Sequence, residues 1–171
     1  MNAIRKMVFG LTVVLASMPK PVLALTYGAQ IVTNAGQACQ LSKPTIDTVV
    51  APRANGFRND GSGNVFVICG YTNPLGVDPT IITMFFTTAD GQAHDLDCTA
   101  VKGVAGYEAL GYLTKQVSIP ASGYVYLHFD PADFGGTSTI PNAFNFSVTC
   151  NLPPHAAITV VQASYNYNIG Q

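Results

Sequence analysis

The clearest alternation of apolar and polar positions lies in segment 143–154, A-F-N-F-S-V-T-C-N-L-P-P. Phe144, Phe146, Val148 and Cys150 occupy every second position, and polar side chains separate them. A period of two places one face of a strand against a core and the other face in water. The pair of prolines that follows ends the strand, because proline has no N–H to donate. We therefore predict a core strand that is also cross-linked through its cysteine.

Similar patterns predict the other strands. They are expected at 27–33, 46–50, 64–71, 81–88, 93–101, 112–119, 124–130 and 157–169. The nearly continuous apolar run at 64–71 indicates a central strand covered on both faces. Asp90-Gly91 predicts a tight hairpin, and the Gly-, Asn- and Asp-rich segment 53–63 predicts a loop. About eight short strands without a convincing helix predict an all-β protein, a two-sheet antiparallel β-sandwich of immunoglobulin-like or jelly-roll type.

The N-terminus has the organisation of a secretory signal. Arg5 and Lys6 precede the uncharged run 7–18, and Val22-Leu23-Ala24 provides a cleavage site after Ala24. Twelve apolar residues are too few to span the ~30 Å hydrocarbon core of a bilayer. We therefore predict a signal peptide at 1–24, a single domain at 25–171, and a secreted or periplasmic protein that is not inserted in the membrane after cleavage.

Charge narrows the function classes. After removal of 1–24, five basic residues remain against nine acidic ones, which gives a net charge of −4. The basic residues are not clustered, whereas nucleic-acid binding requires grouped Lys and Arg to neutralise phosphates. Nucleic acid is therefore excluded as a partner.

Four cysteines, Cys39, Cys69, Cys98 and Cys150, follow the signal. An even number behind a signal peptide predicts two disulfides, and four cysteines allow three pairings. We expect Cys39–Cys69 and Cys98–Cys150, because sequential pairing closes two separate loops and joins neighbouring parts of the sandwich. The spacing lacks a C-x-x-C motif, so no metal site and no cofactor are predicted.

One predicted strand carries a candidate binding face. Tyr124, Tyr126 and His128 alternate with apolar residues and share a face with Asp130. Such a polar aromatic face can stack against sugar rings or contact another protein, and it can also simply cover a sheet.

Two groups of acidic residues are candidate metal sites. His94, Asp95 and Asp97 are better explained as a solvated edge strand, because only the two aspartates share a face. The segment 130–133 has two carboxylates, which is few for calcium, so a plain turn is favoured.

Catalytic motifs are absent from the sequence. Its three histidines, His94, His128 and His155, are not part of H-E-x-x-H, and neither G-x-S-x-G nor a phosphate-binding glycine loop occurs. We predict that the chain is not an enzyme. A hydrolase would need a pocket that holds a histidine together with an aspartate.

The layout resembles a known group of proteins. It combines G-F-R-N-D-G-S-G-N-V-F-V-I-C at 56–69, D-L-D-C at 95–98, F-N-F-S-V-T-C-N-L-P-P at 144–154 and a tyrosine-bearing terminal strand. This is similar to a family of exported, uncharacterised bacterial four-cysteine β-proteins of about this size. The resemblance implies a secreted β-sandwich and no particular activity.

Three function classes remain open. The first is an exported structural or interaction protein acting through surface contacts with an unknown protein or glycan surface, or with its own copies by self-association. The alternatives are a carbohydrate-binding module that uses the tyrosine face, and a pilin-like subunit. The pilin-like alternative depends on the alternating C-terminal segment 165–169, which resembles an exposable edge strand.

Overall fold

The computed structural model describes residues 25–42, 49–71, 73 and 76–169. The predicted signal peptide and most of the strand expected at 46–50 lie outside these residues. None of the helices in the described part of the chain is long and apolar enough to cross a membrane.

The described residues form a nearly all-β structure. The strands are β1 (Leu25–Asn34), β2 (Cys39–Leu41), β3 (Val50–Arg53), β4 (Gly56–Asn59), β5 (Val65–Tyr71), β6 (Ile81–Thr88), β7 (His94–Lys102), β8 (Gly111–Ile119), β9 (Val125–Phe129), β10 (Phe146–Leu152) and β11 (Ala156–Ile169). A one-turn helix α1 (Ala35–Ala38) joins β1 to β2, and a 3₁₀ helix spans Pro131–Phe134. The structure has eleven strands where about eight were expected.

The strands form two sheets that pack as a sandwich. Sheet A has the order β3-β4-β11-β6-β9, and β1 also pairs with β11. Sheet B has the order β2-β5-β10-β7-β8. Every paired ladder in the described residues is antiparallel. The prediction of a two-sheet antiparallel β-sandwich is therefore confirmed.

The alternation in β10 identifies the core correctly except at its first position. Phe146 and Val148 are buried, as is Cys150, and they face the inner side of sheet A. Phe144 is 64% exposed, so its predicted place in the core is wrong. It lies two residues before β10 begins, where no sheet pairing forces its side chain inward.

The predicted central strand is less enclosed than its composition suggested. β5 lies between β2 and β10, and only its Val67 and Cys69 are fully buried. Phe66 points outward and is exposed, because the outer face of sheet B is not covered by another layer in the described residues.

Asp90-Gly91 is a turn, but it does not make a hairpin. Gly91 has the positive φ of 70° that such a turn needs. However, β6 belongs to sheet A and β7 to sheet B, so the turn carries the chain from one sheet to the other. A local turn signal indicates the reversal and does not determine which strands then pair.

The segment 53–63 is not simply a loop, because it contains β4. β4 pairs with β3 and, at two positions, with β11. Glycine is required where the strands meet: Gly56 has φ 140°, and a Cβ there would collide with the carbonyl oxygen of Ile158. Gly56 therefore allows β4 to lie against β11.

Both disulfides have the sequential pairing. Cys39 is bonded to Cys69 and Cys98 to Cys150. Each pair is also a directly opposed register pair, on β2–β5 and on β10–β7. The two bridges therefore join neighbouring strands within sheet B.

Candidate functional site

The outer face of sheet A carries the three residues that the sequence proposed as a binding face. Tyr124 lies immediately before β9, and Tyr126 and His128 point outward from that strand, while Leu127 and Phe129 are buried. Tyr124 and Tyr126 are 67% and 52% exposed. The ring centroids of Tyr126 and His128 are 4.5 Å apart.

The neighbouring strand adds a fourth ring. Phe85 on β6 is the register partner of Tyr126, and its ring centroid lies 6.1 Å from that of Tyr124 and 6.2 Å from that of Tyr126. These separations are within the range of favourable aromatic contacts. We call Phe85, Tyr124, Tyr126 and His128 the aromatic platform. Sequence reasoning missed Phe85, because β6 is apolar at consecutive positions and alternation could not assign its faces.

His128 is held in place by its neighbours. Its Nδ1 lies 2.9 Å from the hydroxyl oxygen of Thr83, which is the opposing residue on β6. Its carbonyl oxygen accepts a hydrogen bond of 3.0 Å from Lys115 Nζ. These contacts orient the imidazole ring beside Tyr126 before any ligand is present.

A cavity of about 380 Å³ opens beside the platform. Its lining is Val32, Phe85, Tyr124, Thr159, Val160 and Gln162. Most of this lining is apolar, and Thr159 and Gln162 supply a hydroxyl and an amide. The volume lies within the ~300–1,000 Å³ of typical small-molecule sites, which combine an apolar lining with a few polar groups.

An irregularity in β11 creates this lining. Its register against β6 shifts between Ile158 and Val160, the mark of a β-bulge. Ile158 and Val161 are both buried, although strict alternation would place them on opposite faces. The bulge therefore brings Thr159 and Val160 into the cavity lining.

A charged cluster lies at the β3–β4 end of the same sheet. Asp60 Oδ2 is 2.5 Å from an Arg53 guanidinium nitrogen, and Asp60 Oδ1 is 2.5 Å from Arg58 Nε. Hydrogen bonding from Arg58 and then from Arg53 lowers the pKa of Asp60 from its usual value, against the opposing effect of burial. Arg58 Nε is itself buried and makes no well-directed hydrogen bond.

Asp130 does not join the binding face. Its side chain accepts hydrogen bonds from the backbone of Ala132 and Asp133, and so caps the 3₁₀ helix. Asp133 accepts a hydrogen bond from Lys115 at 2.6 Å. Both carboxylates of the candidate calcium segment are therefore engaged by protein donors, which agrees with the favoured turn.

His94, Asp95 and Asp97 are separated by the strand geometry. Asp95 and Asp97 are exposed on the outer face of sheet B, and His94 Nε2 lies 3.1 Å from Asp90. The expected edge position is wrong, because β7 lies between β8 and β10, although its ladder with β10 begins only at Cys98.

Asp90 is the centre of this small cluster. It accepts hydrogen bonds from the Thr88 hydroxyl at 2.5 Å and from the Gln92 backbone at 2.9 Å. The Thr88 hydrogen bond, followed by those from Gln92 and His94, holds the pKa of Asp90 well below its usual value. Asp90 separates the histidine from the hydroxyl, so His94 makes no nucleophile–base contact with Thr88. Across the described residues, no three His, Cys, Asp or Glu side chains are grouped to hold a metal ion.

Comparison with known proteins gives matches in structure only. No protein-family model matches the chain, and no curated protein matches its sequence. Among solved structures, the xylan-binding module CBM15 is 15% identical, with a TM-score of 0.38 over 85% of this chain and 99% of that one. A family 11 carbohydrate-binding module from Clostridium thermocellum, in complex with a mixed-linked tetrasaccharide, is 10% identical, with a TM-score of 0.38 over 88% and 91% of the two chains. TmCBM61 in complex with β-1,4-galactotriose is 7% identical, with a TM-score of 0.36 over 82% and 88%.

These matches correct the principal functional expectation. The expectation of an exported structural or interaction protein is contradicted, because the similar structures are mostly carbohydrate-binding modules, which favours the alternative of that name. The pilin-like alternative also meets a structural objection, since segment 165–169 is already paired with β1. Other similar structures belong to enzymes, so the absence of catalysis stays a prediction.

Proposed function

We propose that this chain is an exported carbohydrate-binding domain whose site is the aromatic platform and the adjoining cavity. The observation that carries the proposal is the grouping of four rings, Phe85, Tyr124, Tyr126 and His128, on one open sheet face beside that cavity. Exposed groupings of this kind mark interaction sites more often than inert surface. The proposal depends on these side chains and uses no correspondence with the similar structures.

The chemistry of the face suits a sugar. A pyranose ring presents apolar C–H groups on its faces and hydroxyls around its edge. Aromatic rings contact the former, and hydrogen-bonding groups placed beside the rings engage the latter. Here the tyrosine hydroxyls, the Gln162 amide and the Thr159 hydroxyl surround an apolar floor formed by Phe85 and Val160. A purely apolar ligand would leave these polar groups without partners.

Export is part of the same proposal. The predicted signal peptide at 1–24 would deliver residues 25–171 to the periplasm or the cell exterior. The two disulfides support this, because such bonds persist in oxidising compartments. Polysaccharides of cell walls and extracellular matrices are accessible there.

The test measures glycan binding by the mature chain and by a pair of matched variants. A glycan array identifies ligands, and titration calorimetry then compares Tyr126→Ala with Tyr112→Ala. Tyr112 is a similarly exposed tyrosine on the outer face of sheet B. We expect Tyr126→Ala to bind roughly tenfold more weakly, about the effect of losing one aromatic anchor, and Tyr112→Ala to bind as the parent does. Equal loss in both variants, or no glycan binding by the parent, would contradict the proposal.

A further inference from the structure

A second cavity adjoins the first on the same sheet face. Its volume is about 390 Å³, and it is lined mainly by Asn55, Arg58, Thr87, Thr88 and Thr159. Thr159, at the bulge of β11, lines both cavities. The two cavities therefore form a continuous groove that runs from Tyr124 across β11 towards β4.

The register explains why this part of the groove is open. Arg58 on β4 is opposite Ala157 on β11, and Ala157 is opposite Thr87 on β6. Directly opposed residues of antiparallel strands point to the same face. The small side chain of Ala157 thus leaves space between a guanidinium group on one side and a hydroxyl group on the other.

The threonine hydroxyls in this cavity are arranged as acceptors. Thr87 Oγ1 donates to the Gly123 carbonyl at 2.9 Å, Thr88 Oγ1 to Asp90 at 2.5 Å, and Thr159 Oγ1 to the Phe85 carbonyl at 3.3 Å. Each hydroxyl proton is therefore already used, and the oxygen lone pairs remain for a ligand. Hydroxyl groups of a sugar can donate to them.

Arg58 supplies the opposite character. It is the one charged side chain among the described residues that line this cavity, and its side chain is 37% exposed. Its contacts with Asp60 involve Nε and one terminal nitrogen, so further N–H groups remain for a ligand. Because Asp60 is shared by Arg53 and Arg58, this group of three carries one positive charge in excess.

Asp90 is a charge of opposite sign close to this cavity. It contacts Thr88 from behind and does not line the cavity, and His94 lies 3.1 Å from it on its other side. A carboxylate in the cavity would therefore meet the guanidinium directly and Asp90 only across the Thr88 hydroxyl.

We infer that this second cavity is a subsite for a carboxylate-bearing sugar, a uronic acid, within a glycan whose neighbouring residue lies on the aromatic platform. Arg58 donates to the carboxylate, in the planar geometry that guanidinium and carboxylate groups share. The threonine oxygens accept hydrogen bonds from the hydroxyls of the same sugar. This inference rests on the proposed function and names the substrate class of the site.

The test compares acidic oligosaccharides with their methyl esters, which have nearly the same shape and no charge. Probes are a glucuronic-acid-bearing xylo-oligosaccharide and an oligogalacturonate, each titrated as acid and as ester into the mature chain. We expect the acid to bind roughly three- to tenfold more tightly at low salt, because charge pairs at partly exposed sites contribute modestly. The preference should shrink at high ionic strength as the charges are screened.

Two arginine variants form a matched pair. Arg58→Gln and Arg53→Gln each remove one positive charge and one contact to Asp60, but only Arg58 lines the cavity. We expect Arg58→Gln to bind acid and ester equally, and Arg53→Gln to keep most of the preference. Thermal unfolding of both variants checks that they are folded.

The outcomes separate this inference from the proposed function. Equal binding of acid and ester by the parent, with binding still dependent on Tyr126, overturns the uronic-acid subsite and leaves the carbohydrate-binding function standing. The subsite is overturned in the same way if Arg53→Gln abolishes the preference as fully as Arg58→Gln does. Failure of the parent to bind any glycan overturns both.

Discussion

Cys98 on β7 and Cys150 on β10 lie directly opposite each other and are bonded, with their Cα atoms 4.1 Å apart. The bridge joins residues 52 positions apart in sequence, at the point where the ladder between these two strands begins. It therefore fixes the register of the central strand of sheet B, whose inward residues form much of the core.

Removing this bridge should destabilise the fold strongly. The chain-entropy model gives about 4 kcal/mol for a loop of this length. We expect Cys98→Ala/Cys150→Ala to lower the free energy of unfolding by about that amount in urea denaturation. The bridge between Cys39 and Cys69 closes a loop of 30 residues, and its removal should cost slightly less. A loss below about 1 kcal/mol for either pair would contradict this expectation.

Two phenylalanines that are two positions apart should differ sharply. Phe146 is 2% exposed and contacts Tyr71, Phe129 and Phe134, whereas Phe144 is largely exposed. Phe146→Ala should lower the free energy of unfolding by about 3–5 kcal/mol, through lost burial and a cavity. Phe144→Ala should change it by less than about 0.5 kcal/mol. Similar values for the two variants would mean that the inward face of β10 is misassigned.

Gly56 should not tolerate alanine. Its φ of 140° is unfavourable for any side chain, and the added Cβ would meet the Ile158 carbonyl oxygen. We expect Gly56→Ala to destabilise by roughly 1–3 kcal/mol. Gly63→Ala is the control, because a Cβ there has no neighbour within 4 Å. If the two variants have the same melting temperature, then β4 does not lie against β11 as described.

Stability should fall in acid partly through Asp90. Its pKa is lowered in the folded state by hydrogen bonds from Thr88, Gln92 and His94. A carboxyl group with a lowered folded pKa contributes stability that is fully present above its unfolded pKa of about 3.9 and is lost as pH falls through the folded value. The melting temperature of the parent should therefore decline more steeply below pH 4 than that of Asp90→Asn. Parallel curves for the two proteins would contradict the role of Asp90. Asp95→Asn, a change at an exposed position, serves as the control.

The exported protein should begin at Leu25. This follows from the charged residues Arg5 and Lys6, the uncharged run 7–18 and the Val22-Leu23-Ala24 site. N-terminal sequencing of the exported material measures it, with Ala24→Lys as a variant expected to block cleavage. Recovery of a product that still carries residues 7–18 would show that the signal is not removed.

Local pattern and cysteine arithmetic were sufficient for much of this protein. The alternation in 144–150 and 124–130 predicted two strands and the inward side chains of each, apart from Phe144. Sequential pairing predicted both disulfides, because the two loops can close independently. The side chains that share a face on β9 follow from a strand period of two, which is a property of the backbone alone.

Tertiary structure decided what depends on the partners of each strand. The turn at Asp90-Gly91 has the same local geometry whether the chain continues in the same sheet or crosses to the other, so sequence could not distinguish them. Phe85 became part of the platform only because β9 pairs with β6, and Thr159 joins two cavities only because β11 is bulged. Arg58 reaches the same face through β4, which is distant from β11 in sequence. Pairings between distant segments are selected by burial of the whole core, and local periodicity carries no information about them.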